Sequence, residues 1–102
     1  MELNKQIILQ FIRRNRAQIR AFGVEKIGLF GSFVRDEQRP DSDIDLLVEY
    51  GIGQASFKNL MHLAFFFEDS LHRKIELVTP SSLSNRLKQY VVQEVEYVTL
   101  TD

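Results

Sequence analysis

Across residues 2–22 the apolar side chains Leu3, Ile7, Ile8, Phe11, Ile12, Ile19 and Phe22 recur close to a 3.6-residue period, with Arg13, Arg14, Arg16 and Arg20 filling the remaining face. That spacing predicts one amphipathic helix, with Gly23 as its stop. Val24–Phe30 reads as a short strand closed by Gly31-Ser32, and 33–37 as a short helix before a polar loop through Pro40. In 43–50, Ile44, Leu46, Val48 and Tyr50 alternate onto one face, which predicts a second strand. After a loop over 51–55, Ser56 is placed to cap a helix over Phe57–Leu71. A third strand, 73–79, turns Ile75 and Leu77 to the core and ends at Pro80. A last helix over 82–93 and an extended tail over 95–100, read as a short edge strand, complete the chain. Helices and strands therefore alternate, as in a sheet covered by helices.

The helix Phe57–Leu71 has more apolar surface than one core face needs. Phe57, Leu60, Met61, Ala64, Phe67 and Leu71 form the expected core stripe. At ~100° per residue Phe66 falls roughly 150° from its centre, among Asn59, His62 and Ser70. Two placements follow for Phe66: a solvent-facing partner surface beside Leu63, serving a homodimer or a hetero-complex, or a position tucked under the C-terminal tail.

Composition narrows the function classes. The 102 residues carry no repeat, low-complexity tract or linker, so one domain over 1–102 is expected, and 44% hydrophobic residues suffice for its core. Thirteen Lys+Arg against fourteen Asp+Glu leave a net charge of −1. Direct nucleic-acid binding is not expected without a basic excess, and the Arg13, Arg14, Arg16, Arg20 cluster reads as a solvated helix face. No apolar window is long enough to span a membrane, and the N-terminus lacks a signal-peptide layout, so a cytoplasmic protein is expected. The absence of cysteine excludes disulfides, thiolate metal sites and thiol nucleophiles. His62 and His72 have no ligand spacing, and Arg39 reads as an ordinary loop arginine.

The chemistry concentrates in three places. Asp43 and Asp45, two apart on a strand, project from the same face, while Ile44 and Leu46 point into the core. Such a pair repels unless a cation lies between; a hard divalent ion with oxygen ligands suits it, and so does a plain solvated strand face. Gly31-Ser32 lies between a strand and an expected helix, where backbone N–H groups and the Ser32 hydroxyl can meet a phosphate, or where serine simply caps a turn. Glu76 faces away from the core on the third strand. If that strand neighbours the second, Glu76 joins Asp43 and Asp45, and two metals about 3.5–4 Å apart could clamp an in-line displacement.

Gly31-Ser32-Phe33-Val34-Arg35-Asp36 followed by Asp41-Ser42-Asp43-Ile44-Asp45-Leu46-Leu47-Val48 closely resembles the signature of the minimal nucleotidyltransferase domain, of the polymerase-beta-like nucleotidyltransferase superfamily. The resemblance covers nearly the whole chain, with Lys74-Ile75-Glu76-Leu77-Val78-Thr79-Pro80 matching the third-carboxylate strand. It implies an α/β (α+β) two-layer nucleotidyltransferase fold, a small mixed sheet flanked by helices. It also implies that Gly31, Ser32 and Arg35 hold the nucleotide. Asp43, Asp45 and Glu76 would be both catalytic residues and ligands of two Mg²⁺ ions, with ATP as substrate.

Two positions depart from the family pattern. Glu76 stands where aspartate is usual, and a shift of about 1 Å in a carboxylate can cost ~10²-fold in rate. Asp36 stands where glycine is usual and brings a negative charge toward the triphosphate, to be offset by Arg35 or a metal. The family further implies an antitoxin that adenylylates a tyrosine of a HEPN-domain ribonuclease toxin. A non-catalytic antitoxin acting by contact, with Phe66 as a candidate surface, is the alternative, and transfer to a small molecule or an RNA end is a third reading.

Overall fold

The computed structural model describes residues 2–101. Asn4 accepts the Ile7 N–H at 2.9 Å and starts helix α1 (Lys5–Arg14), but the expected single helix is broken. Asn15 leaves the helical conformation, its side chain donates to the Phe11 carbonyl at 2.8 Å, and a second helix, α2 (Arg16–Ala21), follows. Asparagine offers the backbone a competing local hydrogen bond, a property that apolar periodicity does not register. Gly23, with φ +90°, ends α2. Strand β1 (Val24–Phe30) and strand β2 (Ile44–Tyr50) match the expected segments, with Asp43 one residue before β2.

The expected short helix over 33–37 is a series of turns. Glu37 N–H closes onto the Ser32 carbonyl at 2.9 Å, and Asp36 sits in the left-handed region at φ +58°. Five residues between a strand and a loop cannot offset the cost of helix nucleation. The position where the family usually has glycine is thus one that glycine adopts freely and aspartate tolerates. Helix α3 (Phe57–Leu71) begins at Ser56, whose side chain accepts the Asn59 N–H, and ends at His72 in the left-handed conformation. Strand β3 is shorter than expected (Ile75–Val78). Pro80–Ser82 forms a 3-10 turn, so α4 (Asn85–Glu94) starts later than expected, under a Ser84 cap. Strand β4 (Glu96–Val98) pairs with β1 at the sheet edge.

The sheet order is β3-β2-β1-β4. β2 is parallel to β3 and antiparallel to β1, and β4 is antiparallel to β1, which makes the sheet mixed. Ile8, Ile12 and Ile19 from α1 and α2, with Leu63 and Phe67 from α3, pack on Ile27, Leu29, Ile44, Leu46 and Val48. Leu47 and Val91 are buried outside this cluster, Leu47 because it lies on the opposite face of β2 from Leu46.

Helix α3 is rotated relative to the expected stripe. Phe66 is partly buried, its ring centroid 5.7 Å from those of both Phe11 and Phe22 and 5.8 Å from that of Phe67. It seals α1 and α2 against α3 instead of facing solvent. The exposed ridge is Phe57, Met61 and Phe65, at 75%, 36% and 51% exposure. With apolar residues on nearly every side, the partners on α1 and α2 choose the buried face.

That rotation has a measurable consequence. Phe66→Ala is expected to destabilise the fold by about 3 kcal/mol in urea unfolding. Phe65→Ala, one residue earlier and exposed, stays within about 0.5 kcal/mol of the wild type.

Candidate active site

Strand register brings the acidic residues together. Asp45 pairs with Phe30 across the antiparallel β1–β2 ladder and with Glu76 across the parallel β2–β3 ladder. Alternation turns Ile44 and Leu46 into the core, so Asp45 and Glu76 emerge on the other face, with their carboxyl groups within hydrogen-bonding reach. Asp43 lies on the same side, at the entry to β2, and its Oδ2 is 3.9 Å from Lys74 Nζ. The segment leading into it is tied down at Ser42, whose carbonyl accepts from Arg73 Nη1 at 2.9 Å and whose Oγ accepts from Arg39 N–H at 2.7 Å.

The Asp45 carboxyl is half-buried, and its pKa is pushed up to about 7. Burial is the largest cause, followed by the hydrogen bond and charge of Glu76 and the charge of Asp43; Arg35 opposes them. A cation between the carboxylates would relieve the same repulsion, and the all-oxygen donor set suits a hard divalent ion. As the side chains stand, no three Asp, Glu or His residues among those described enclose a metal position.

Gly31 follows β1 directly and has φ +81°. A Cβ at this position would overlap the Asp45 carboxylate, so glycine is needed for both conformation and space. Its N–H does not point to open solvent, as expected for a phosphate donor, but donates to Glu94 Oε2 at 2.6 Å. The Ser32 hydroxyl has no hydrogen-bond partner among the described residues. Arg35 donates through Nε to Glu37 at 2.7 Å and through Nη1 to Glu94 at 2.8 and 3.1 Å, and both carboxylates raise its pKa.

All six residues singled out from sequence therefore lie around the Asp45 end of the sheet. Gly31, Ser32 and Arg35 come from the turn after β1, Asp43 from the residue before β2, Asp45 from the start of β2, and Glu76 from β3. Sequence reading missed Glu94. It sits 63 residues from Gly31 with no local motif, and only the β1–β4 pairing brings it there. A cavity of about 340 Å³ lined by Glu2, Leu3, Gln38, Arg39, Pro40 and Arg73 adjoins the Asp43 segment but includes none of Asp43, Asp45 and Glu76.

The profile of the Polymerase beta, Nucleotidyltransferase family matches residues 8–102. The protein adenylyltransferase MntA of Thermococcus cleftensis is 40% identical over 77 residues, 76% of this chain and 77% of that one. A solved structure described as a minimal nucleotidyltransferase superposes with a TM-score of 0.70 at 29% identity, covering 86% of this chain and 93% of the other. A toxin–antitoxin structure solved with AMP-PNP has a chain that superposes with a TM-score of 0.65 at 28% identity, covering 93% and 72%.

The raised Asp45 pKa sets a pH dependence in metal-free buffer. The folded protein keeps this proton up to about pH 7, while the unfolded chain releases it near the ordinary value of 3.8. Between these values the folded state binds more protons, so this group's contribution to stability falls as pH rises. Asp45→Asn is expected to unfold at higher urea than the wild type at pH 8, with the difference closing toward pH 4. Gly31→Ala is expected to lower the urea midpoint at both pH values, because its Cβ meets the carboxylate whether or not Asp45 is charged.

Proposed function

The chain belongs to the polymerase beta nucleotidyltransferase family, and on that premise we propose that it is a protein adenylyltransferase which moves AMP from ATP to a tyrosine of a HEPN-type ribonuclease toxin, acting as its antitoxin. The observation that carries this reading is the pairing of Asp45 with Glu76 beside Asp43, next to the Gly31-Ser32 turn on the adjoining strand. The relative named protein adenylyltransferase and the toxin–antitoxin structure with AMP-PNP support the donor and the partner class.

In this reading the Ser32 hydroxyl and the Arg35 guanidinium face the phosphates of ATP. The acceptor hydroxyl attacks the α-phosphorus, the bond to the β-phosphate oxygen breaks, and pyrophosphate leaves. Glu76 takes the hydroxyl proton. Asp43, Asp45 and Glu76 are the residues that would hold Mg²⁺, which when bound supplies neutralisation of the phosphate charge. Positioning and charge compensation then account for most of the rate, as in phosphoryl transfer generally. Gly31 contributes space for Asp45, because its N–H already has a carboxylate partner.

Neutralisation by contact alone remains the competing reading, but Phe66 cannot supply its surface. That ring is engaged with Phe11 and Phe22, and the exposed ridge Phe57, Met61 and Phe65 takes its place.

The test uses the chain, a HEPN partner toxin, ATP and Mg²⁺, with the intact mass of the toxin as readout. A gain of one or more adenylyl groups is expected, and Asp43→Ala or Asp45→Ala should slow it by at least ~10²-fold. Toxin neutralised without a mass change would refute transfer and leave the contact reading.

A further inference from the structure

We propose that Glu94 is a positioning residue of the nucleotide site, orienting Arg35 for phosphate from the far end of the chain; this rests on the nucleotidyltransferase reading above. Its two carboxylate oxygens are divided between two parts of the turn after β1. Oε2 accepts the Gly31 N–H at 2.6 Å and Arg35 Nη1 at 3.1 Å, while Oε1 accepts Arg35 Nη1 at 2.8 Å. The Glu94 side chain is 23% exposed against 48% for Arg35, so the carboxylate is the fixed partner and the guanidinium the oriented one. Charge-assisted bonds of this length are the strong kind.

The backbone makes Glu94 a rigid support. It is the last residue of α4, and two residues later Glu96 enters the β4–β1 ladder opposite Leu29, two residues before Gly31. The Val95 side chain packs against the Cα of Gly28, where a Cβ would not fit. The carboxylate is thus delivered to the turn by the same sheet that holds Asp45. Gly31 is buried, so without Glu94 its N–H would lose its partner away from water, an expensive state. Glu37, the other carboxylate on Arg35, is exposed and only two residues away, so it does not fix the guanidinium to the fold. Arg35 Nη2 has no hydrogen-bond partner among the described residues, which leaves that edge of the fork for phosphate oxygens.

Two roles for this carboxylate predict opposite effects. If Glu94 orients Arg35, neutralising it weakens nucleotide binding. If it competes with phosphate for Arg35, neutralising it tightens binding. Its bond to the buried Gly31 N–H favours the first, because a ligand does not readily release a support that the backbone itself requires.

The experiment is calorimetric titration of ATP with Mg²⁺ into the wild type, Glu94→Gln, Arg35→Ala and the double variant, with urea unfolding of each. Glu94→Gln keeps the shape and an acceptor for Gly31 N–H but loses the charged pair. Expected are a roughly tenfold weaker Kd for Glu94→Gln and a double variant no weaker than Arg35→Ala alone, because Glu94 acts through that guanidinium. Tighter or unchanged binding by Glu94→Gln, or losses that add in the double variant, would overturn the proposal. So would a Glu94→Gln chain that no longer unfolds cooperatively, which would assign the residue to the fold alone. A wild type that does not bind ATP would overturn the nucleotide reading itself, and the proposal with it.

Discussion

The Asp45 carboxylate lies against the Cα of Gly31, in space that any side chain at residue 31 would take. The rest of the site depends on this approach. It requires β1 and β2 to be paired so that Phe30 stands opposite Asp45, and it requires the chain to leave β1 with a positive φ. It also leaves the carboxylate half-buried and beside Glu76, the condition in which holding a negative charge is costly. Steric fit at one glycine and electrostatic strain at one aspartate are two consequences of the same strand register.

The charges around that point are arranged locally and not by overall sign. The chain is nearly neutral, so its net charge does not draw an anionic substrate to it. Three carboxylates stand on the β2–β3 side, one of them near Lys74, while Arg35 is held by Glu37 and Glu94 on the β1 side. Arg35 is close enough for its charge to oppose the rise in the Asp45 pKa. The site therefore sets a crowded acidic group beside an arginine shared between carboxylates, an arrangement that a divalent cation and a polyphosphate together would balance.

Several elements were legible because their determinants are local. Period-two alternation places Asp43 and Asp45 on one face whatever the partner strand, and Ser56 and Gly23 mark helix limits through their own hydrogen bond and φ. Three other expectations failed, two on local chemistry that apolar periodicity does not register and one on contacts from distant residues. The helix over 2–22 breaks because Asn15 finds a competing hydrogen bond. The residues 33–37 stay as turns because Asp36 takes a left-handed conformation. Phe66 turns inward because Phe11 of α1 and Phe22, just after α2, wait for it.

By itself, then, the sequence determined the strands β1 to β3, the helix α3 and the outward face of Asp43, Asp45 and Glu76. These follow from side-chain period and backbone conformation, which neighbouring residues dictate. Only the tertiary structure decided that β3 lies parallel beside β2 and so brings Glu76 to Asp45. It likewise decided which face of α3 is buried, and that a glutamate near the C-terminus takes the Gly31 N–H and the Arg35 guanidinium. Those outcomes depend on contacts between residues tens of positions apart, whose geometry exists only once the strands have paired.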